Sequence, residues 1–187
     1  MPEAVEEALE AKEKDKSVAL IIAVLALFLA LTEAAGKNAL HLSMEKNIEA
    51  SNLYSFYQAK KIRQTIAETA AKGLKATGSG EAVTKQIEEF EATAARYEKD
   101  PKKPQDSLER LSEQAHEAEA ERDHANHRLE HYELASGLVQ IAIVLASASI
   151  ITGMAALMWM SVGLGGIGIL IMAVGYFHPG LIPFIGG

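Results

Sequence analysis

Three histidines lie close together in the charged segment that precedes the last apolar part of the chain. His124, His127 and His131 are separated by three and four residues, so on one helix they share a narrow sector of its surface. Imidazole nitrogens at this spacing can bind Zn²⁺, Cu²⁺ or Ni²⁺, and imidazole also changes charge near neutral pH. The pattern favours a solvated helix face, with a divalent transition-metal site and a pH-sensitive site as the alternatives.

Carboxylates extend this histidine pattern without completing a known site. The spacing Glu-x-x-His occurs twice, at Glu113–His116 and at Glu121–His124. Di-iron bundles place this pair on two different inward-facing helices, whereas both copies here fall on one helix, so an oligomer is needed to complete such a site. His41 is the other histidine expected near the level of His127 and His131. No cofactor is predicted beyond this possible metal.

A glycine motif elsewhere has a structural explanation. Gly163-Leu-Gly165-Gly-Ile-Gly168 matches the dinucleotide-binding pattern, but that pattern requires a preceding strand and a soluble βαβ unit. Here it lies in an uncharged apolar segment, where small residues allow helices to approach closely. The motif therefore predicts helix packing.

Composition excludes several classes of function. The chain has no cysteine, which rules out disulfides, thiolate metal sites and cysteine nucleophiles. Its net charge of −7 argues against nucleic acid as a partner, because no basic face is available to neutralise phosphates. No Ser/His/Asp grouping, phosphate-binding loop or pocketed carboxylate pair is recognisable. We therefore predict that the protein is not an enzyme.

Charge is separated from apolar sequence along the chain. No Asp, Glu, Lys or Arg occurs from Leu134 to Gly187, and a second apolar run extends from Val18 to Leu31. A transmembrane helix needs about 20 apolar residues, so the chain is predicted to be an integral protein of the lipid bilayer. The acidic N-terminal tail favours a retained anchor over a cleaved signal peptide. The predicted segments are an acidic helical tail (1–16), three spans (17–36, 134–152 and 157–177) and an apolar Pro/Gly tail (178–187).

The charged region 37–133 is expected to be helical throughout. One helix is predicted over 37–76, a turn at Gly78–Gly80, a second helix over 81–99, a kink at Pro101–Pro104 and a third helix that begins at Asp106 or Ser107. At 1.5 Å per residue, the two directions measure about 60 Å and about 70 Å. These lengths predict an antiparallel helical hairpin, a coiled coil between the first and second spans. A compact three-helix bundle is the alternative.

Periodicity predicts which faces pack in this region. Residues at three- and four-residue intervals form a seam in the third helix: Leu108, Leu111, Ala115, Ala118, Arg122, Ala125, Leu129 and Tyr132. In the first helix the corresponding apolar row is Met44, Ile48, Ile62, Ile66, Ala70 and Leu74. The fold class is thus an all-α membrane protein with three spans and a long extramembrane hairpin.

Two surfaces are predicted to take part in contacts. The first helix carries more aromatic surface than one seam needs, at Tyr54, Phe56 and Tyr57, with Gln58 and Lys60 beside them. These five residues either pack within the chain or form an interface with an oligomer or partner. In the first span, small residues recur at helical spacing and allow a neighbouring helix to approach: Ala19, Ala23, Ala26 and Ala30.

Several motifs resemble those of a bacterial family of small membrane proteins of unknown function. They are Ala50-Ser51, then Tyr57-Gln58-Ala59-Lys60, the Glu/His-rich coil and the two closing apolar segments. The resemblance implies a three-span fold in the bacterial inner membrane and implies no activity. Two departures are the absence of basic residues from Thr152 to Met160 and the proline-containing tail after His178.

Orientation and function are inferred from these features together. Lys12, Lys14 and Lys16 before the first span, with the resemblance, favour a cytoplasmic N-terminus and a periplasmic hairpin. We expect a non-enzymatic scaffold, self-assembling protein or accessory subunit of a membrane complex. The alternative is a metal- or pH-responsive membrane module that uses the histidines near the membrane.

Overall fold

Every regular element of the described chain is a helix. A computed structural model describes the backbone of residues 2–178 and the side chains of residues 16–178, so most of the predicted apolar tail lies outside the described residues. The long helices are α1 (Pro2–Thr77), α2 (Glu81–Glu98), α3 (Leu108–Thr152) and α4 (Ala155–Phe177), with a 3-10 turn at Pro104–Asp106. The predicted all-α class is confirmed.

Three of these helices are long and apolar enough to cross a membrane, namely α1, α3 and α4. This is consistent with the predicted multi-pass membrane protein. In both α1 and α3 the apolar part and the charged part belong to one uninterrupted helix. Gly36 does not end α1, and it packs against α3, because a Cβ at this position would lie 3.5 Å from the Cβ of Tyr132.

The chain divides into two compact units. Met1–Ser43 and Asp123–Gly187 form one, here called the span unit, and Met44–Arg122 forms the other, here called the charged unit. The span unit contains all residues of the three apolar segments that the structure describes. The charged unit contains the end of α1, all of α2 and the start of α3.

The core of the span unit is built mainly from small residues. Leu25, Val139 and Ala142 form an apolar cluster, and the buried side of α4 consists of small residues at Ser161, Gly165, Gly168 and Gly175. Further buried positions recur at helical spacing on α1 and α3: Val18, Thr32 and Ala39, and Ala125, Tyr132, Ala135 and Ala146. Small residues let the helix backbones approach closely, which favours dispersion contacts and hydrogen bonds between helices in lipid.

The core of the charged unit confirms one predicted row and corrects the other. On α3, Leu108, Leu111, Ala115 and Ala118 are buried, as their spacing indicates. On α1 the buried positions are Ala50, Gln64, Ala67 and Ala71, whereas Met44, Ile48, Ile62 and Ile66 are exposed. The prediction for α1 was wrong for these four residues, while Ala70 and Leu74 of the predicted row are half-buried. Small residues on the packed face of α1 let the helix backbones approach closely, and bulky side chains there would hold the helices apart.

The breaks between helices fall where the sequence predicts them. Gly80 adopts a positive φ of 112°, a conformation that favours glycine, immediately before α2. Ser107 caps α3: its Oγ accepts a hydrogen bond of 3.3 Å from the backbone N–H of Arg110. Gly153, with φ of 67°, and Met154 alone separate α3 from α4.

Candidate functional site

The three histidines do not share one solvated face. His124 and His127 are exposed, whereas His131 is 1% exposed. A Cβ at Gly175 of α4 would lie 2.6 Å from the Cβ of His131, so α4 covers this side of α3. The residue spacing predicted that Tyr132 belongs to the coiled-coil seam, but it did not indicate that α4 packs on the adjacent residue, His131.

The buried imidazole of His131 has one satisfied nitrogen. Its Nδ1 lies 2.6 Å from the backbone carbonyl of His127, so Nδ1 carries the proton that is donated to that oxygen. Its Nε2 is buried and has no hydrogen-bond partner among the described residues. A buried polar atom without a partner is costly, and the Nε of Arg128, three residues earlier on α3, is in the same state among the described residues.

Arg128, one helical turn before Tyr132 on α3, lies close to two tyrosine rings. The guanidinium of Arg128 lies 6.0 Å from the ring centroid of Tyr132 and 5.8 Å from that of Tyr176. It also donates a hydrogen bond of 3.3 Å to the hydroxyl of Tyr132. Such cation–π contacts stabilise a cation near an apolar environment. The sequence analysis missed this group, although Arg128 and Tyr132 are one helical turn apart.

The carboxylates next to the histidines are paired with cations. Lys46 lies 2.8 Å from Glu121 and 2.9 Å from Glu49. Hydrogen bonds to Glu121 and then to Glu49 hold the pKa of Lys46 well above its usual value. Arg110 lies 2.9 Å from Glu113 and also contacts Glu117, and the hydrogen bond to Glu113 raises the pKa of Arg110.

No metal-binding group is assembled in the structure's described part, because no three His, Cys, Asp or Glu side chains are gathered there. His124 and His127 remain accessible to solvent, and so does His41. His127 approaches Glu130 at 3.6 Å. Metal binding by His124, His127 and His131 stays a prediction.

The predicted interaction residues separate into two sets. The hydroxyl of Tyr54 donates a hydrogen bond of 2.9 Å to Glu119, which raises the pKa of Tyr54, and Lys60 donates to the backbone carbonyl of Asp106. These side chains are used within the charged unit. Tyr57 is half-buried, while Phe56 is 63% exposed and Gln58 is exposed.

A groove opens beside Phe56 in the charged unit. Its volume is about 590 Å³, and its lining combines apolar, cationic and amide side chains: Leu53, Phe56, Ala59, Lys60, Arg63, Gln105, Asp106, Leu111 and Gln114. The groove lies where the chain between α2 and α3 departs from helical geometry. Its lining includes two cations, Lys60 and Arg63, and one carboxylate, Asp106, beside apolar side chains.

Comparison with protein families gives a match over most of the chain. The model of a family described as a domain of unknown function, DUF4337, matches residues 14–178. The chain belongs to this family. The DUF4337 match covers nearly all residues that the structure describes, and it confirms the resemblance to a bacterial family of unknown function. Neither the curated proteins nor the solved structures contain a match to the chain.

Proposed function

We propose that this DUF4337 protein is a membrane-anchored helical hairpin that acts as a non-enzymatic scaffold, self-assembling protein or accessory subunit of a larger membrane complex. The order of contacts within the charged unit supports a hairpin: the later a residue lies in α1, the earlier its contact partner lies in the segments that follow α1. These contacts are Lys75–Glu91, Gln64–Glu98, Lys60–Asp106, Tyr54–Glu119 and Lys46–Glu121.

Helix continuity supports the anchoring role. α1 contains 76 residues and α3 contains 45, and each joins an apolar segment to a charged one. The proposed location is the bacterial inner membrane, with the N-terminus in the cytoplasm and the hairpin in the periplasm. The lysines at positions 12, 14 and 16 support this orientation through the positive-inside rule.

The observation that carries the proposal is the exposure of large apolar side chains on the charged unit. Met44, Ile48, Phe56, Ile62 and Ile66 are each between 54% and 63% exposed. Single exposed apolar residues are common, but several on one charged segment indicate a surface that another protein covers. A scaffold or accessory subunit that binds other chains is expected to have an exposed apolar surface of this kind.

The proposal is tested by the mass of the protein as extracted from membranes. The full-length chain, tagged at its N-terminus, is extracted into lipid nanodiscs at low protein concentration and its mass is measured by mass photometry or native mass spectrometry. We expect a homo-oligomer or a complex with a copurifying membrane protein. A monomer of 20.1 kDa that copurifies with no other protein contradicts the proposal.

One observation favours the alternative function, a metal- or pH-responsive module. The Nε2 of His131 is buried and has no hydrogen-bond partner among the described residues, and an imidazole nitrogen can take up a metal ion or a proton.

The alternative has its own test. The full-length protein in nanodiscs is titrated with Zn²⁺ and with Cu²⁺, and its oligomeric mass is followed as a function of pH. A variant that replaces both exposed residues, His124→Gln with His127→Gln, reports on metal binding, and His131→Gln reports on the pH response. Absence of binding below about 100 µM excludes the metal form, and an unchanged mass from pH 7.5 to 5.5 excludes the pH form.

A further inference from the structure

A second, outward-facing row of uncharged residues runs along α1 in the charged unit. It is called the outer row here and consists of Met44, Ile48, Ser51, Ser55, Ala59, Ile62, Ile66, Ala70 and Gly73. Successive members are four or three residues apart, and the pattern repeats after eleven residues. At 3.6 residues per turn these positions fall within a sector about 100° wide. All members except Ala70, which is half-buried, are exposed.

The outer row is turned away from the rest of the charged unit. The buried positions of the same helix, Ala50, Gln64, Ala67 and Ala71, are centred about 160° from the centre of the row on the helix circumference. The large side chains of the row, Met44, Ile48, Ile62 and Ile66, are each at least 54% exposed, while Ala59 borders the groove and Ala70 is half-buried. Because bulky apolar side chains in water favour burial by about 25 cal/mol per Å², the row is an unsatisfied helix face.

We infer that a second copy of this chain covers the outer row and that the two α1 helices pair in parallel and in register. This inference rests on the proposed function, since it requires an anchored chain that self-assembles. Two copies in one bilayer enter it in the same direction and hold each residue at the same height. A two-fold axis along the membrane normal then brings every position of the row against itself.

The composition of the row suits such self-pairing. No member is charged, so no like charges meet across the axis. An eleven-residue repeat corresponds to 3.67 residues per turn, slightly more than the 3.6 of a straight helix, so a slight right-handed supercoil keeps the two rows face to face. Ser51, Ser55 and Ala59 at the centre allow close approach, and Met44 with Ile48 and Ile62 with Ile66 form an apolar cluster at each end.

The contact area is suited to a dimer that forms when both copies are anchored in one membrane. From Met44 to Gly73 the helix is about 44 Å long at 1.5 Å per residue, and with a diameter of about 10 Å it offers roughly 440 Å² per copy. The total of roughly 900 Å² is near the lower limit for a specific interface, about 1,000 Å². Anchoring in one bilayer raises the effective concentration and orients the copies, so this area is sufficient there.

The absence of cysteine makes the inference directly testable by cross-linking. The variants Ile48→Cys and Ile62→Cys of the full-length protein are reconstituted separately in liposomes and oxidised with a mild catalyst. Glu49→Cys and Glu68→Cys, which are exposed on the same helix but about 110° and about 150° from the centre of the row, are the matched controls. We expect at least tenfold more disulfide-linked dimer from the two row variants than from the controls.

A second measurement uses charge rather than cysteine. Because Ile48 and Ile62 are outward-facing, Ile48→Lys and Ile62→Lys should retain the helix content of the natural protein, measured by circular dichroism, and lose the dimer in nanodiscs. Glu68→Lys should retain both. A dimer that survives both lysine substitutions at the row overturns the inference.

The outcomes separate this inference from the proposed function. An oligomer by mass without cross-links at Ile48 or Ile62 leaves self-assembly standing and overturns the outer row as its interface. Cross-links between Ile48→Cys and Ile62→Cys in mixed samples, without same-residue cross-links, indicate antiparallel pairing and overturn the parallel arrangement. A monomer without any partner overturns both the inference and the proposed function.

Discussion

The hydroxyl of Ser161 on α4 donates a hydrogen bond of 2.7 Å to the backbone carbonyl of Ala142 on α3. Both residues are 0% exposed. One turn further along α4, a Cβ at Gly165 would lie 3.5 Å from the Cβ of Ala142. At this pair α3 and α4 meet through small residues, and a polar contact is combined with close packing.

Replacing Ser161 with alanine should weaken this contact. We expect Ser161→Ala to lower the free energy of unfolding by about 0.5–1.5 kcal/mol, the range for hydrogen bonds between helices in lipid. Ser147→Ala is the matched control, because the hydroxyl of Ser147 donates within its own helix, to the carbonyl of Ile143 at 2.9 Å. The measurement is reversible unfolding in bicelles, and equal losses from the two variants would contradict the role of the interhelical bond.

The glycines of α4 should differ sharply in their tolerance of alanine. A Cβ at Gly168 would lie 2.9 Å from Val139 Cγ2 and 3.1 Å from the backbone oxygen of Ala135, whereas a Cβ at Gly163 or Gly166 meets nothing within 4 Å. Because backbone cannot move aside cheaply, Gly168→Ala should cost about 1–3 kcal/mol. Gly163→Ala and Gly166→Ala should be neutral or stabilising by up to about 1 kcal/mol.

The same unfolding assay distinguishes packing from any other role of the glycine motif. If all three alanine variants behaved alike, close approach of α3 would not be the reason for glycine at position 168. Helix content, measured on the folded variants, should be unchanged in each case.

The start of α3 depends on Ser107. Its Oγ accepts from the backbone N–H of Arg110 and donates a hydrogen bond of 2.7 Å to the carbonyl of Pro104, and the residue is buried. Ser107→Ala should therefore cost about 1 kcal/mol, as is typical for the loss of a helix cap. Ser107→Asp keeps the acceptor and should recover part of the loss, while Ser79→Ala in the exposed turn should have no effect.

Hydrogen exchange provides the local measurement for this cap. The backbone amide of Arg110 should exchange faster in Ser107→Ala, and amides in α4 should not change. Unchanged protection at Arg110 would show that the cap does not hold the first turn.

A pH-dependent contact is expected in the segment between α2 and α3. The carboxylate of Asp100 accepts hydrogen bonds from the backbone N–H groups of Lys102 at 2.8 Å and Lys103 at 3.3 Å. The first of these bonds is the main cause of the lowered pKa of Asp100. Because the folded-state pKa is below the unfolded value of about 3.9, this turn is stabilised above about pH 4 and loses that stabilisation as the pH falls through the folded-state pKa.

Nuclear magnetic resonance of the protein in micelles can follow this titration. The amide resonances of Lys102 and Lys103 should shift together as the pH falls below about 4, with a midpoint below that of a model aspartate. Asp100→Asn should abolish the titration, and a midpoint above about 4 in the natural protein would contradict the lowered pKa.

The helices were predictable from the sequence because their signals were local. Gly78–Gly80, Pro101–Pro104 and Gly153 interrupt the chain where the backbone leaves helical geometry, and the 3–4 spacing of α3 identified Leu108, Leu111, Ala115 and Ala118 as buried. At these positions the helix has no second row of residues with helical spacing that could be taken for the buried one. Local turn chemistry and one unambiguous period were therefore sufficient.

The inner face of α1 and the surroundings of His131 were not predictable in the same way. In the charged unit α1 has two rows of uncharged residues at helical spacing. The sequence favoured the row with the larger side chains, such as Met44 and Ile62, as the buried one. The structure instead buries Ala67 and Ala71. His131 is buried by α4, a helix that lies more than 20 residues later in the chain. Such choices depend on which helices meet in space, and periodicity along one helix does not contain that information.

The two-residue connection at Gly153 and Met154 has a consequence for how the protein is made. No charged side chain lies between α3 and α4. This connection therefore carries no charge signal that would determine the side of the bilayer on which it lies. We expect the two helices to leave the translocon together as one preformed pair, with their direction dictated by whichever segment has already been placed. We therefore expect the sidedness of α3 and α4 to follow from the insertion of α1.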